Sequence, residues 1–235
     1  MSAAPVLEAV GLTAGYLPGQ PVIEDLDLTV EAGKVTVLLG ANGAGKSTTM
    51  HTLAGVMPAT GGSVLFDGVS TKKPLHRRAR DGLAYVTEQR SVLMGLTTRE
   101  NIAVGGVAEK DVLALFPELE KRIDVRGGLL SGGEQQMLTL GRALARRPKI
   151  LLADELSLGL AAKVVTRLLQ AVKDTAEQTG TAVLLVEQHV RKVLKYADQV
   201  YVLQRGRLVA EGTGAQMGAR IEEIESYYMH GGEAG

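Results

Sequence analysis

The sequence predicts an α/β fold, a mostly parallel sheet with crossover helices, on three observations. Val35 to Leu39 is a short β-branched and aliphatic run that leads at once into a glycine-rich loop and a helical pattern. Ile150 to Ala153 and Ala182 to Val186 are two more such runs, each long enough for one buried strand. Between them Val165, Leu168, Leu169 and Val172 recur at helical spacing, so strand and helix alternate as a parallel sheet requires.

Along the chain, Val22 to Val30 reads as a strand because Leu26, Leu28 and Val30 alternate with polar residues, and Asp67-Gly68 marks a hairpin. A helix is expected from Lys46 to about Gly55. From about residue 88 to 145 the periodicity is helical, with a short helix from Glu109 to Phe116 that ends before Pro117. Val200 to Gly212 reads as a hairpin turned at Arg205-Gly206, followed by a helical tail to about Met229, and the glycine-rich end from Gly231 to Gly235 is expected to fray. One domain, residues 1–235, follows: a core of about 1–87 and 146–235, with a helical subdomain of about 88–145 inserted in it. Neither an internal repeat nor a low-complexity linker interrupts it.

Two segments carry chemistry on their own residues. Gly40-Ala41-Asn42-Gly43-Ala44-Gly45-Lys46-Ser47-Thr48 is a complete phosphate-binding loop in its strand–loop–helix context. Its glycines let consecutive N–H groups aim at phosphate oxygens, Lys46 supplies a point charge for the β- and γ-phosphates, and the Ser47 hydroxyl is positioned to ligate Mg²⁺. The helix that begins at Lys46 adds its N-terminal dipole. The second segment is Asp154-Glu155, at the carboxyl end of the Ile150 strand. There Asp154 can face the Mg²⁺ and Glu155 can accept a proton from an attacking water. A nucleoside triphosphate with Mg²⁺ is therefore the expected ligand.

Composition excludes several alternatives. Lys plus Arg and Asp plus Glu number 26 each, so there is no broad basic field for nucleic acid, and aromatics at 3% leave few platforms for stacking bases. The chain has no cysteine, hence no disulfide, thiolate metal site or cysteine nucleophile, as suits a reducing compartment. No apolar run approaches ~20 residues, and Met1 to Pro5 does not begin a signal peptide.

The phosphate loop, Leu130-Ser131-Gly132-Gly133-Glu134-Gln135-Gln136, Asp154-Glu155 and the Leu158-Gly159-Leu160-Ala161 turn resemble, in order and spacing, the nucleotide-binding subunit of ABC transporters. Leu130 to Met137, Ser157 to Ala161 and Leu185 to Gln188 are similar, more narrowly, to one of the two ATP-binding subunits of branched-chain amino acid importers. The resemblance covers almost the whole chain. It implies a P-loop NTPase (RecA-like) core with an antiparallel β part near the N-terminus and an inserted helical subdomain. It implies an ATP-hydrolysing motor on the cytoplasmic face of the cell membrane, working with transmembrane permease subunits, a second ATP-binding subunit in a hetero- or homodimer and, indirectly, a solute-binding protein. Alternatives are an importer for urea or short amides, or a soluble non-transport ATPase of the same type.

Residue by residue, the resemblance implies that Ser131, Gly132, Gly133 and Glu134 cap ATP held by the phosphate loop of a paired subunit. Read alone, Ser131 with Glu134 is a helix-capping box, and both readings can hold together. Tyr16 becomes the adenine platform. Glu88, with Gln89 beside it, stands where the family has a glutamine that senses Mg²⁺ and the membrane partner. Gln188, followed by His189, stands where the family has a histidine that contacts the γ-phosphate; Gln188 can donate a hydrogen bond but cannot carry an imidazolium charge. Leu156 replaces the proline that normally follows Glu155. Either Glu155 is thereby less pre-organised, so that Leu156→Pro raises turnover, or neighbouring packing holds it anyway. Ser91 to Leu96, unusually apolar for a loop, is the candidate permease contact or else part of the subdomain's own packing.

Overall fold

A computed structural model describes residues 5–229, so the expectations at Met1 to Ala4 and at Gly231 to Gly235 lie outside the described residues. Strands β1 (Pro5–Ala14) and β2 (Ile23–Glu31) pair antiparallel. Buried Leu26, Leu28 and Val30 line one face of β2, as their alternation predicts, and Ile23 joins the same core beyond the irregular residue Asp25, φ 50°. Next come β3 (Val35–Leu39), α1 (Lys46–Ala54), β4 (Gly61–Phe66) and β5 (Val69–Ser70), with Asp67 and Gly68 both at positive φ in the β4–β5 hairpin. The order β2-β1-β4-β5 makes a four-stranded antiparallel sheet.

The rest of the core builds a second sheet. It follows as α2 (Leu75–Arg80), β6 (Leu83–Val86), α3 (Thr98–Val104), α4 (Glu109–Leu115), α5 (Gly132–Ala145), β7 (Ile150–Asp154), α6 (Ala162–Thr179), β8 (Ala182–Glu187), α7 (Val190–Val193), β9 (Gln199–Gln204), β10 (Arg207–Thr213), α8 (Gly214–Ala219) and α9 (Ile221–Met229). Six strands run in the order β10-β9-β3-β8-β7-β6, parallel from β9 to β6, with β10 antiparallel at one edge. Every residue of β3, β7 and β8 is buried, which is why they read as unbroken apolar runs. Val35, Val37 and Leu39 join one core with the helices, while Leu38 joins the core shared with β1, β2 and α1.

Helices α3 to α5 lie between β6 and β7, and α4 packs on α5 where Gly141 admits Val112 and Phe116; a Cβ there would lie 2.9 Å from Val112 Cγ1. Asn101 is fully buried. Its amide donates to the carbonyls of Leu93, Leu96 and Thr97, and its oxygen accepts from the Leu93 N–H. Arg142 donates to the carbonyls of Ser91 and Asn101. These two side chains hold the 91–97 loop, so that Val92 is buried in the subdomain while Leu93 and Met94 are 46% and 51% exposed. The loop thus packs into the subdomain through Val92 and leaves Leu93 and Met94 at the surface.

Candidate active site

The parallel register brings the functional ends together. Leu39 of β3 lies opposite Glu187 of β8, and Val186 lies opposite Asp154 of β7. The loop after β3 and the acidic ends of β7 and β8 therefore meet at the carboxyl edge of the sheet, where α/β proteins bind ligands.

The phosphate loop is built by close approach. A Cβ on Gly40 would lie 2.6 Å from the Leu203 carbonyl oxygen, and one on Gly45, at φ 108°, would lie 2.7 Å from Ile23 Cγ2. Ala44 is buried; Asn42, Gly43 and Ser47 are exposed, and Ser47 sits in the first turn of α1. Lys46 is 5% exposed and donates to the carbonyls of Gly40 (2.8 Å) and Ala41 (3.0 Å). Burial lowers its pKa, opposed by the negative charges of Glu155, Asp154 and Glu187. The three carboxylates thus favour the charged ammonium that burial disfavours.

On the acidic side, burial pushes the Asp154 carboxyl up to about 6, with Glu155 and Glu88 adding to the rise and Lys46 opposing it. Glu155 adopts a left-handed backbone, φ 48°, and its N–H donates to the Val186 carbonyl (2.9 Å). Gln188 Nε2 donates to Glu155 Oε1 at 2.5 Å. His189 is exposed and has no hydrogen bond to the site among the described residues, so Gln188 is the member of that pair brought to Glu155. Leu156 is 2% exposed and packs in the core with Val165 and Leu168. Burial of Leu156 is the setting that the packing alternative requires, and the turnover of Leu156→Pro decides between the two.

The other candidates divide by position. Tyr16 is 64% exposed, with its hydroxyl 3.5 Å from Thr48 Oγ1, so its ring stands open beside the loop. Glu88 is exposed and its charge acts on Asp154; Gln89 is also exposed, and its carbonyl accepts from Thr87 Oγ1. Ser131 and Glu134 form the capping box in both directions at the start of α5, with Arg122 donating to Glu134. None of the hydrogen bonds among the described residues joins Ser131 to Glu134 with the phosphate loop of the same chain.

Several contributors escaped sequence reasoning. Tyr228 of α9 accepts from the Gly40 N–H (3.0 Å), and burial pushes its pKa up to about 12. Buried Arg78 donates to the Thr52 and Leu53 carbonyls, covering the C-terminal end of α1 with a cation. Glu187, 2% exposed, accepts from Ser157 N–H (3.1 Å) and Oγ (2.6 Å), and burial raises its pKa. Their partners lie 25 to 188 residues away in sequence, and no local motif marks such contacts.

The donor set suits one hard divalent cation. The Asp154 carboxylate makes no hydrogen bond among the described residues and feels the negative charges of Glu155 and Glu88, while Ser47 carries an exposed hydroxyl in the first turn of α1. No group of three or more His, Cys, Asp or Glu is gathered for a metal among the described residues. One carboxylate and one hydroxyl, completed by water and substrate phosphates, is the arrangement Mg²⁺ uses.

A sequence profile of the ABC transporter family matches residues 23–157. The chain is 42% identical over 205 residues to the high-affinity branched-chain amino acid transport ATP-binding protein BraG of Pseudomonas aeruginosa, covering 83% of this chain and 88% of that one. It is 32% identical to the lipopolysaccharide export system ATP-binding protein LptB of Escherichia coli, covering 95% and 96%. In fold it matches the ADP conformation of MJ1267, an ATP-binding cassette of an ABC transporter, with a TM-score of 0.86, 24% identity and coverage of 97% and 99%. No helix among the described residues is long and apolar enough to cross a membrane.

Two outcomes follow from this geometry. A carboxyl whose folded pKa lies above its ordinary value costs stability once ionised, so the Asp154 cost is absent near pH 4 and grows as pH rises to about 6. In metal-free buffer Asp154→Asn should therefore raise the melting temperature at about pH 7.5, by on the order of 2 kcal/mol or a few degrees, with the gain shrinking toward pH 4.5 in calorimetry. Leu156→Pro should not raise ATP turnover in a phosphate-release assay, and should lower the melting temperature by about 2 kcal/mol or more. It removes a buried leucine and drives Glu155 from its left-handed backbone toward the extended region.

Proposed function

The chain belongs to the ABC transporter family as an ATP-binding subunit that hydrolyses ATP, and from that premise we propose that it drives an importer of branched-chain or related amino acids. The similarity to BraG over most of both chains carries this substrate reading, because it exceeds the similarity to the lipopolysaccharide export subunit. The subunit sits at the cytoplasmic face of the cell membrane and docks to transmembrane permease subunits through exposed Leu93 and Met94. A solute-binding protein delivers the amino acid to the other side.

In this reading two nucleotide-binding subunits pair head to tail. ATP lies on the phosphate loop of one, with its adenine against Tyr16, and meets the Ser131 to Glu134 segment of the other. Lys46 neutralises the β- and γ-phosphates. Ser47 and Asp154 would hold Mg²⁺, with Glu88 and Gln89 as the residues that sense it; the ion would neutralise charge on the transferring phosphoryl group. Glu155 orients the attacking water and accepts its proton, and Gln188 holds the Glu155 carboxylate toward that task. Water adds to the γ-phosphorus as the bond to the ADP oxygen breaks, and loss of the γ-phosphate from the interface lets the pair reopen.

Glu155→Gln keeps the shape of the site but cannot accept a proton. It should bind ATP with near-normal affinity while phosphate release falls by about 10²-fold or more, and it should accumulate as a closed pair in size-exclusion chromatography with ATP. Near-normal release would remove Glu155 from this role. For the transport assignment, tagged chain recovered from solubilised native membranes should bring down polytopic permease subunits and a second ATPase, identified by mass spectrometry; only soluble companions would defeat it.

A further inference from the structure

The end of β8 grips the Glu155 turn on two sides. Gln188 reaches the Glu155 carboxylate itself, at 2.5 Å. Its neighbour Glu187 reaches the main chain two residues on, accepting from Ser157 N–H at 3.1 Å and Ser157 Oγ at 2.6 Å. Between these anchors Glu155 holds φ 48°, a conformation that a non-glycine residue keeps only where its surroundings over-determine it. The Glu155 N–H to the Val186 carbonyl and the buried Leu156 side chain supply the remaining restraints. Glu187 is 2% exposed and makes no bond to the phosphate loop among the described residues; its carboxylate accepts from Ser157 at both oxygens, with the Gln188 N–H as a further donor. A buried carboxylate is costly, and here it returns one specific thing: a bidentate hold on Ser157, two residues after Glu155.

We propose that Glu187 is a positioning residue for hydrolysis, holding the 155–158 turn through Ser157 so that the Glu155 carboxylate keeps its place at the attacking water. The inference rests on Glu155 being the group that orients that water. It also makes Glu187-Gln188 a single unit: one residue sets the backbone of the turn and the next sets the side chain, so a movement of the β8 end shifts both together.

The test is steady-state ATP hydrolysis by the purified full chain with Mg²⁺, beside ATP affinity and thermal melting. Glu187→Ala should lower kcat by about 10- to 100-fold, the scale of an ångström-level misplacement, with KM for ATP within about threefold of wild type. Glu187→Gln retains an oxygen for the Ser157 N–H and an NH₂ for Ser157 Oγ, so it should recover kcat to within about fivefold. Ser157→Ala keeps the backbone bond alone and should fall between, about three- to tenfold down. A role in stability only would lower the melting temperature of Glu187→Ala and leave kcat unchanged in the folded protein, which overturns the proposal. Equal losses in Glu187→Gln and Glu187→Ala also overturn it, since charge rather than hold would then be at work. Should Glu187→Ala fail to fold, Ser157→Ala decides, and an unaltered kcat there is fatal. Wild-type-like hydrolysis by Glu155→Gln would bring down the site reading and this inference with it, whereas an inactive Glu155→Gln beside an unaffected Glu187→Ala sinks the inference alone.

Discussion

The parallel register of β3, β8 and β7 is the constraint on which the rest depends. Leu39 faces Glu187 and Val186 faces Asp154, so three strands end at one level and deliver a lysine-bearing loop and two acidic ends into one space. The register itself follows from apolar burial on both faces of these strands, whose alternate side chains enter two different cores. A slip of one residue would exchange those faces and move every site residue out of reach of its partner. The chemistry is thus held by side chains that never touch it.

Charge at that level is deliberately unbalanced. Lys46 is surrounded by Asp154, Glu155 and Glu187, with Glu88 acting on Asp154 as well. An excess of buried carboxylate is costly, and the elevated Asp154 and Glu187 pKa values express that cost. Each carboxylate relieves it differently. Glu187 is satisfied by Ser157 and Glu155 by Gln188, which leaves Asp154 as the one whose remaining remedy is a cation. The proposed division of labour between adjacent Asp154 and Glu155 is consistent with this: one side chain is hydrogen-bonded and oriented, and the other carries no such bond among the described residues.

What could be read from the chain was what is contiguous. The phosphate loop is legible because glycine, lysine and serine act within nine residues, and the Ser131 cap because helix capping is local. The strands were legible because burial on both faces leaves an unbroken apolar run. Glu187 in sequence is only the polar residue at which such a run stops, and its partner lies 30 residues upstream across a strand pairing. Tyr228 on Gly40 and Asn101 under the 93–97 loop are hidden for the same reason: their partners are set by tertiary packing. The choice between Gln188 and His189 stayed open because a one-residue difference at a strand end decides which side chain turns inward, and the backbone there, not composition, decides it.

The same reasoning bears on how the subunit pairs. The Ser131 hydroxyl and the Glu134 carboxylate are already engaged with each other's backbone, so the capping box is complete within the chain. The N–H groups of Gly132 and Gly133 in the same first turn find no acceptor among the described residues, and Gly132 and Gly133 are closely bordered by Arg90 and Val164. A turn that satisfies its cap from within and leaves two donors at a helix N-terminus suits an anion brought from outside the chain. The phosphate loop of the same chain makes no bond to it. In the proposed head-to-tail pair that anion is a triphosphate held by the second subunit, which would make pairing a consequence of how α5 begins.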